Sequence, residues 1–119
     1  MKAMMKTSLL LVALFSLLLA PVACALAGGT TGCDFREDSV NGPEPRCQER
    51  SGLQGGTTFS TTCSALKGKA IDDGCPRAGI VSGCDISDDG TVIDWYYAPK
   101  TVEEVAKQCA DDKGKVVSP

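Results

Sequence analysis

Cysteine number constrains this chain more than any other feature. Seven cysteines lie in 119 residues; Cys24 falls inside an amino-terminal apolar segment, and Cys33, Cys47, Cys63, Cys75, Cys84 and Cys109 follow it. If that segment is removed on export, the remaining number is even, as expected for a chain that stores its thiols as three disulfides in an oxidising compartment. A domain of under 100 residues has a small apolar core, so each bridge, contributing on the order of 2–4 kcal/mol, can decide whether it folds.

Residues 1–27 read as an export signal, with Lys2 and Lys6 as its charged region, Leu9 to Ala20 as its apolar core and a small-residue segment after Pro21. The apolar core is 12 residues, too short for an ordinary spanning helix. Two cleavage readings compete. Ala23-Cys24-Ala25 and Ala25-Leu26-Ala27 suit ordinary signal peptidase, whereas Val22-Ala23-Cys24 has the form of a lipobox whose Cys24 would become a lipidated first residue. Residues 28–32 then form a flexible leader, and residues 33–119 a single cysteine-rich domain.

The domain is organised around Cys63 to Cys109. Thr91 to Tyr97 alternates β-branched and aromatic residues, and Asp88-Asp89-Gly90 before it supplies turn chemistry, so residues 80–87 and 91–98 are predicted to pair as a hairpin. Pro99 ends the ladder. Thr101-Val102-Glu103-Glu104 has the capping-box form and opens a helix over about 101–112, ended by Gly114. Val102, Val105, Ala106 and Cys109 share a face, which turns the Cys109 thiol toward the sheet. The expected pairing is therefore Cys109 with Cys84, leaving Cys63 with Cys75 and Cys33 with Cys47.

Elsewhere the pattern is weaker. From Cys33 to Cys47 the chain is polar, and Gly42, Pro43 and Pro45 argue against regular structure. Cys47 to Arg50 reads as a short edge strand. Cys63 is followed five residues on by Gly68-Lys69-Ala70, and Cys109 by Gly114-Lys115-Val116, a faint internal echo of a helix followed by a strand; the four threonines of residues 57–62 make the first helix a poor one. The predicted class is α+β: a small disulfide-stabilised domain, an antiparallel sheet with one or two packed helices.

Composition excludes more than it assigns. The chain has no histidine, so histidine-dependent triads and histidine-ligated metals are out, and without Cys-x-x-Cys neither a cysteine zinc site nor a thioredoxin-like role is expected. Asp72-Asp73-Gly74 and Asp85 to Gly90 lack the carboxylate spacing of an EF-hand and read as turns. No cofactor, metal site or catalytic residue is predicted. Once Lys2 and Lys6 leave with the signal, ten basic residues face 15 acidic ones, which excludes nucleic-acid binding by composition. Contact with a membrane would come only through lipid on Cys24.

Trp95, Tyr96 and Tyr97 could form an exposed platform for a carbohydrate or protein partner, although a small domain also needs these rings inside. Alternation sends Trp95 and Tyr97 to one face and Tyr96 to the other, so one face is expected in the core and the other is a candidate binding surface.

In its Cys75-Pro76, Ser82-Gly83-Cys84, Tyr96-Tyr97 and Cys109 to Gly114 elements, the chain resembles a group of small cysteine-rich exported bacterial proteins, many of them described as lipoproteins, notably from myxobacteria. It departs from their pattern at Lys67 and Lys113, where a second glycine is common. The resemblance implies location at the cell envelope and carries no activity. The expectation is a non-enzymatic exported protein, secreted or lipid-anchored, serving as a binding or surface module. The alternative is a small secreted effector such as a protease inhibitor or toxin, acting through a rigid loop at Pro43 to Arg46 or Arg77 to Gly83.

Overall fold

The computed structural model describes residues 29–119; the segment expected to be an export signal, with Cys24, and Gly28 lie outside the described residues. Nine elements follow in order: β1 (Thr31–Asp34), β2 (Arg46–Arg50), a 3-10 turn (Gly52–Gln54), α1 (Thr57–Ala65), β3 (Lys69–Asp72), β4 (Ile80–Asp85), β5 (Val92–Tyr97), α2 (Val102–Asp111) and β6 (Lys115–Val117). The strands form one antiparallel sheet in the order β3-β1-β2-β5-β4-β6, so the α+β expectation holds. The β4–β5 hairpin and the helix behind Thr101 stand where the sequence puts them. Thr101 accepts from the Glu104 amide, and Glu104 accepts from the Thr101 amide, closing the capping box.

Three expectations need correction. Thr31 and Gly32, expected in the leader, belong to β1, and the polar stretch after them therefore begins inside a strand. β2 is not an edge: it pairs with β1 on one side and β5 on the other. The bridges are Cys33–Cys63, Cys47–Cys75 and Cys84–Cys109, so only the last of the three expected pairs is present. Local pairing fails because the chain is built as two copies of one unit, and each copy closes its own strand onto its own helix.

The copies are β1-β2-α1-β3 and β4-β5-α2-β6. Gly32-Cys33-Asp34 recurs as Gly83-Cys84-Asp85, and Cys63 to Lys69 recurs as Cys109 to Lys115, with Lys-Gly-Lys in both. The register repeats with the sequence. Cys33 pairs with Gln48 and Ala70 as Cys84 pairs with Asp94 and Val116, and Gln48 pairs with Asp94 across the sheet centre. A pseudo-twofold axis passes through that central pair. Each helix ends in a Schellman motif, with Gly68 donating to the Cys63 carbonyl and Gly114 to the Cys109 carbonyl. Lys67 (φ 62°) and Lys113 (φ 57°) occupy the left-handed position between, where glycine costs least. At Gly68 and Gly114 a Cβ would land on the Sγ atoms of Cys33 and Cys84, so the helix-to-strand turn can approach the disulfide only as glycine.

Residues paired across a ladder point to the same face, so the row Ala70, Cys33, Gln48, Asp94, Cys84, Val116 defines one side of the whole sheet. Both helices lie on that side, because Cys33 is bridged to α1 and Cys84 to α2. Helix α1 packs on β1 and β3 with Phe35, Phe59 and Cys63 in its core; α2 packs on β4 and β6 with Tyr96, Val105 and Cys109 in its own. The central strands are left between them.

The opposite face holds Cys47, Cys75, Trp95 and Tyr97, with Ile80, Ile93 and Val117 against them. The chain from β3 to β4 must cross this face, and Cys47–Cys75 pins the crossing at the sheet centre. Beneath it lies Glu49, a buried carboxylate that accepts from the Cys75 amide (2.9 Å), the Arg77 guanidinium (3.1 Å) and the Trp95 indole N–H (3.3 Å). Three donors on one carboxylate offset the cost of removing it from water. Trp95 lies flat over Gly83, where a Cβ would come within 2.5 Å of its ring.

Candidate cleft between the sheet centre and the second helix

The helix-side residues of β2 and β5 are polar where a core would be apolar. Arg46, Gln48 and Arg50 alternate along β2, and Asp94 and Tyr96 face them from β5. They form one chain of hydrogen bonds: Arg50 donates to Gln48 (2.9 Å), Gln48 to Asp94 (3.0 Å), and Arg46 to Asp94 (3.2 Å) and Glu44 (3.1 Å). Burial works against the charge of Arg46, but Asp94 and Glu44 outweigh it and hold the guanidinium more firmly protonated than usual. This trough exists because the helices sit on the outer strands.

At the end of the trough beside α2 it deepens into a cleft of about 290 Å³, lined by Glu44, Pro45, Arg46, Tyr96, Lys100 and Gln108. Glu44 and Pro45 come from the turn before β2, Lys100 from the turn before α2, and Gln108 from the last turn of α2. Lys100 donates to the Gln108 side-chain carbonyl at 2.7 Å, with its ammonium 5.6 Å from the Tyr96 ring centre. Burial, reinforced by Asp94, pushes the Tyr96 hydroxyl up to about 12, so it stays a neutral donor at every physiological pH. Among the described residues that hydroxyl has no hydrogen-bond partner, and Lys100 has no carboxylate within ion-pair distance.

The pseudo-twofold shows how the two ends of the trough differ among the described residues. It relates Tyr96 to Arg50, and Arg50 lies over the Phe59 ring at 4.5 Å, filling the space that stays open beside α2. A second hollow of about 330 Å³ lies on the far side of the Glu44-Pro45 turn, walled by Arg36, Pro43, Ala98 and Pro99. Its one cation is already engaged: Arg36 is paired with Asp34 at 2.8 Å. It offers little to orient a ligand.

The exposed aromatic platform that the sequence allowed is not there, and the alternative of rings in the core is what the fold adopts. Trp95, Tyr96 and Tyr97 are 4%, 3% and 4% exposed. Trp95 and Tyr97 are core under Arg77 and Arg36, whose guanidiniums stack on them, and Tyr97 donates to the Pro76 carbonyl at 2.6 Å. Only Tyr96 reaches a cleft, on the face alternation gave it. Arg77 is pinned to Glu49 and turns tightly, its carbonyl accepting from Ile80, and Ile80 to Gly83 continues into β4. Pro43 and Glu44 border the hollows and Arg46 is in β2, so neither stretch stands out as an extended loop. The Asp85 carboxylate accepts from Ser87 and the Gly90 amide and Asp89 from Thr91, which uses these acids to build their turn. Among the described residues no cluster of three metal-ligating side chains occurs, and no helix is long and apolar enough to cross a membrane.

Of the cleft residues, Glu44, Pro45 and Arg46 fall in the Pro43 to Arg46 stretch named from sequence, whereas Lys100 and Gln108 were not singled out. The available signal is β2 itself, Arg46-Cys47-Gln48-Glu49-Arg50, whose polar residues at alternate positions mark a strand facing a hydrated groove. Comparison of the chain with protein-family models, curated proteins and solved structures finds no match.

Proposed function

We propose that this protein is a non-enzymatic module of the bacterial cell envelope or its surroundings, secreted or tethered through lipid on Cys24, that binds a small polar ligand in the cleft beside Tyr96. The observation that carries the binding reading is the cleft: the Tyr96 hydroxyl and the N–H groups that Lys100 does not spend on Gln108 converge on a hollow that the fold leaves open. Glu44 and Asp94 both engage Arg46, so neither stands ready as a general base, which supports binding without chemistry. Export is supported by three buried intramolecular disulfides, which suggest an oxidising environment. The likeness to small cysteine-rich exported lipoproteins belongs to the same proposal.

Fractionation with fatty-acid labelling tests the location. The protein should leave the cytoplasm fully oxidised, and label should enter the wild type and not Cys24→Ser if it is tethered; label in neither, with protein in the medium, identifies the secreted form. Reduced protein retained in the cytoplasm would overturn the reading.

A further inference from the structure

The chemistry of the cleft narrows what it can hold, provided the binding reading stands. Three charges line it, Glu44, Arg46 and Lys100, and Asp94, outside the lining and paired with Arg46 at 3.2 Å, brings the local sum to zero. A ligand bearing a net charge therefore gains no matching field, and Asp112 nearby, which also disfavours ionisation of Tyr96, tilts the field against anions. The hydrogen-bonding groups are mixed. Tyr96 Oη–H, the remaining Lys100 N–H groups and the Gln108 amide N–H₂ donate, while the Glu44 carboxylate and the Tyr96 oxygen lone pairs accept. Carboxylates only accept and ammonium groups only donate; a hydroxyl does both with one atom and matches a mixed wall without net charge. At about 290 Å³ the cleft is at the small end of ligand sites, the size of one ring.

We propose that the cleft binds a neutral, hydroxyl-rich ring, a saccharide unit, with its hydroxyls between Tyr96, Lys100 and Gln108 on one side and Glu44 on the other. The ring does not stack on Tyr96, whose face is already covered by Lys100 and whose exposure is 3%. Recognition is by hydrogen bonds at its edge.

The test is amide-resolved NMR titration of the disulfide-bonded protein with glucose, galactose, mannose and N-acetylglucosamine, beside glucuronate and glucosamine as charged counterparts. At least one neutral sugar should shift the amides of residues 44–46, 96, 100 and 108 and should bind more tightly than the charged sugars. Lys100→Met should weaken that binding roughly tenfold and Tyr96→Phe about threefold, as expected for losing a charged and a neutral hydrogen bond. Leu53→Ala, at a site 87% exposed and outside the cleft, should leave it unchanged. Each variant is accepted as folded only if its Trp95 emission and free-thiol content match the wild type. Preference for a charged sugar at the same amides would overturn the neutral-ring inference and leave the cleft standing. Absence of shifts there with every sugar, or full binding by folded Tyr96→Phe and Lys100→Met, would overturn the inference and, in the first case, remove its basis in the cleft.

Discussion

Removing the two equivalent disulfides one at a time separates what the bridges do from what the helices do. Cys33–Cys63 and Cys84–Cys109 span sequence separations of 30 and 25. In the chain-entropy model each contributes about 3.5 kcal/mol, and the two differ by roughly 0.2 kcal/mol. Cys33→Ala/Cys63→Ala and Cys84→Ala/Cys109→Ala should therefore lose nearly equal stability in urea. The helices they release are not equal. Helix α1 starts at Gly56 with no side-chain cap, and Thr61, Thr62 and Ser64 donate back to the carbonyls four residues earlier, which weakens a helix. Helix α2 keeps its capping box, worth about 1 kcal/mol, and a composition better suited to helix. Hydrogen exchange should accordingly show residues 57–65 losing nearly all protection in the first variant, and residues 102–111 keeping part of theirs in the second. A difference in global stability above about 1.5 kcal/mol, or retained protection in α1, would refute the reasoning that the two bridges are equivalent and the helices are not.

Three further outcomes follow from single groups. Glu49→Ala strands the buried N–H groups of Cys75 and Trp95 and should cost roughly 2–4 kcal/mol by urea unfolding, with Glu49→Gln losing less because an acceptor remains; equal losses would show that the carboxylate is not the clamp. Lys113→Gly removes a side chain from a left-handed residue and should raise stability by about 0.5–1 kcal/mol, which thermal melts would detect. Tyr96, pushed up to about 12, stays neutral in the fold while tyrosines of the unfolded chain ionise near their usual value, so its contribution to stability is complete below about pH 10 and is lost as pH rises toward 12; in Tyr96→Phe that alkaline decline should be shallower, and an unchanged slope would contradict the assignment.

The parts of the fold legible in sequence are those carried by local signals. Asp-Gly turn chemistry located the β4–β5 hairpin, Thr101 and Glu104 located α2, and the shared face of Val105 and Cys109 gave the bridge to Cys84. What failed was non-local. β1 is four residues long with Gly32 inside it, and the glycine is required because a Cβ there would come within 2.8 Å of the Gly74 backbone in the crossing chain. β2 is polar because one face borders the trough and the other buries Glu49, so it lacks the apolar alternation of a central strand. The repeat of Gly-Cys-Asp, more telling than the Lys-Gly-Lys echo, would have repaired the disulfides: with Cys84 joined to Cys109, the first copy requires Cys33 with Cys63, and Cys47 with Cys75 remains. The cleft was legible in two separate pieces, Tyr96 and the Pro43 to Arg46 stretch, but Lys100 and Gln108 are brought to them by a turn and the helix, and no sequence spacing records that.

Mapping the disulfides of the non-reduced protein by cleavage and mass spectrometry tests most directly the claim that two copies of one unit, each bridged from strand to helix, leave a polar trough between their helices. The duplicated architecture predicts peptides joining Cys33 to Cys63, Cys47 to Cys75 and Cys84 to Cys109. A peptide joining Cys33 to Cys47, or Cys63 to Cys75, would contradict it, because α1 would then be free of β1 and the trough would have no wall on that side.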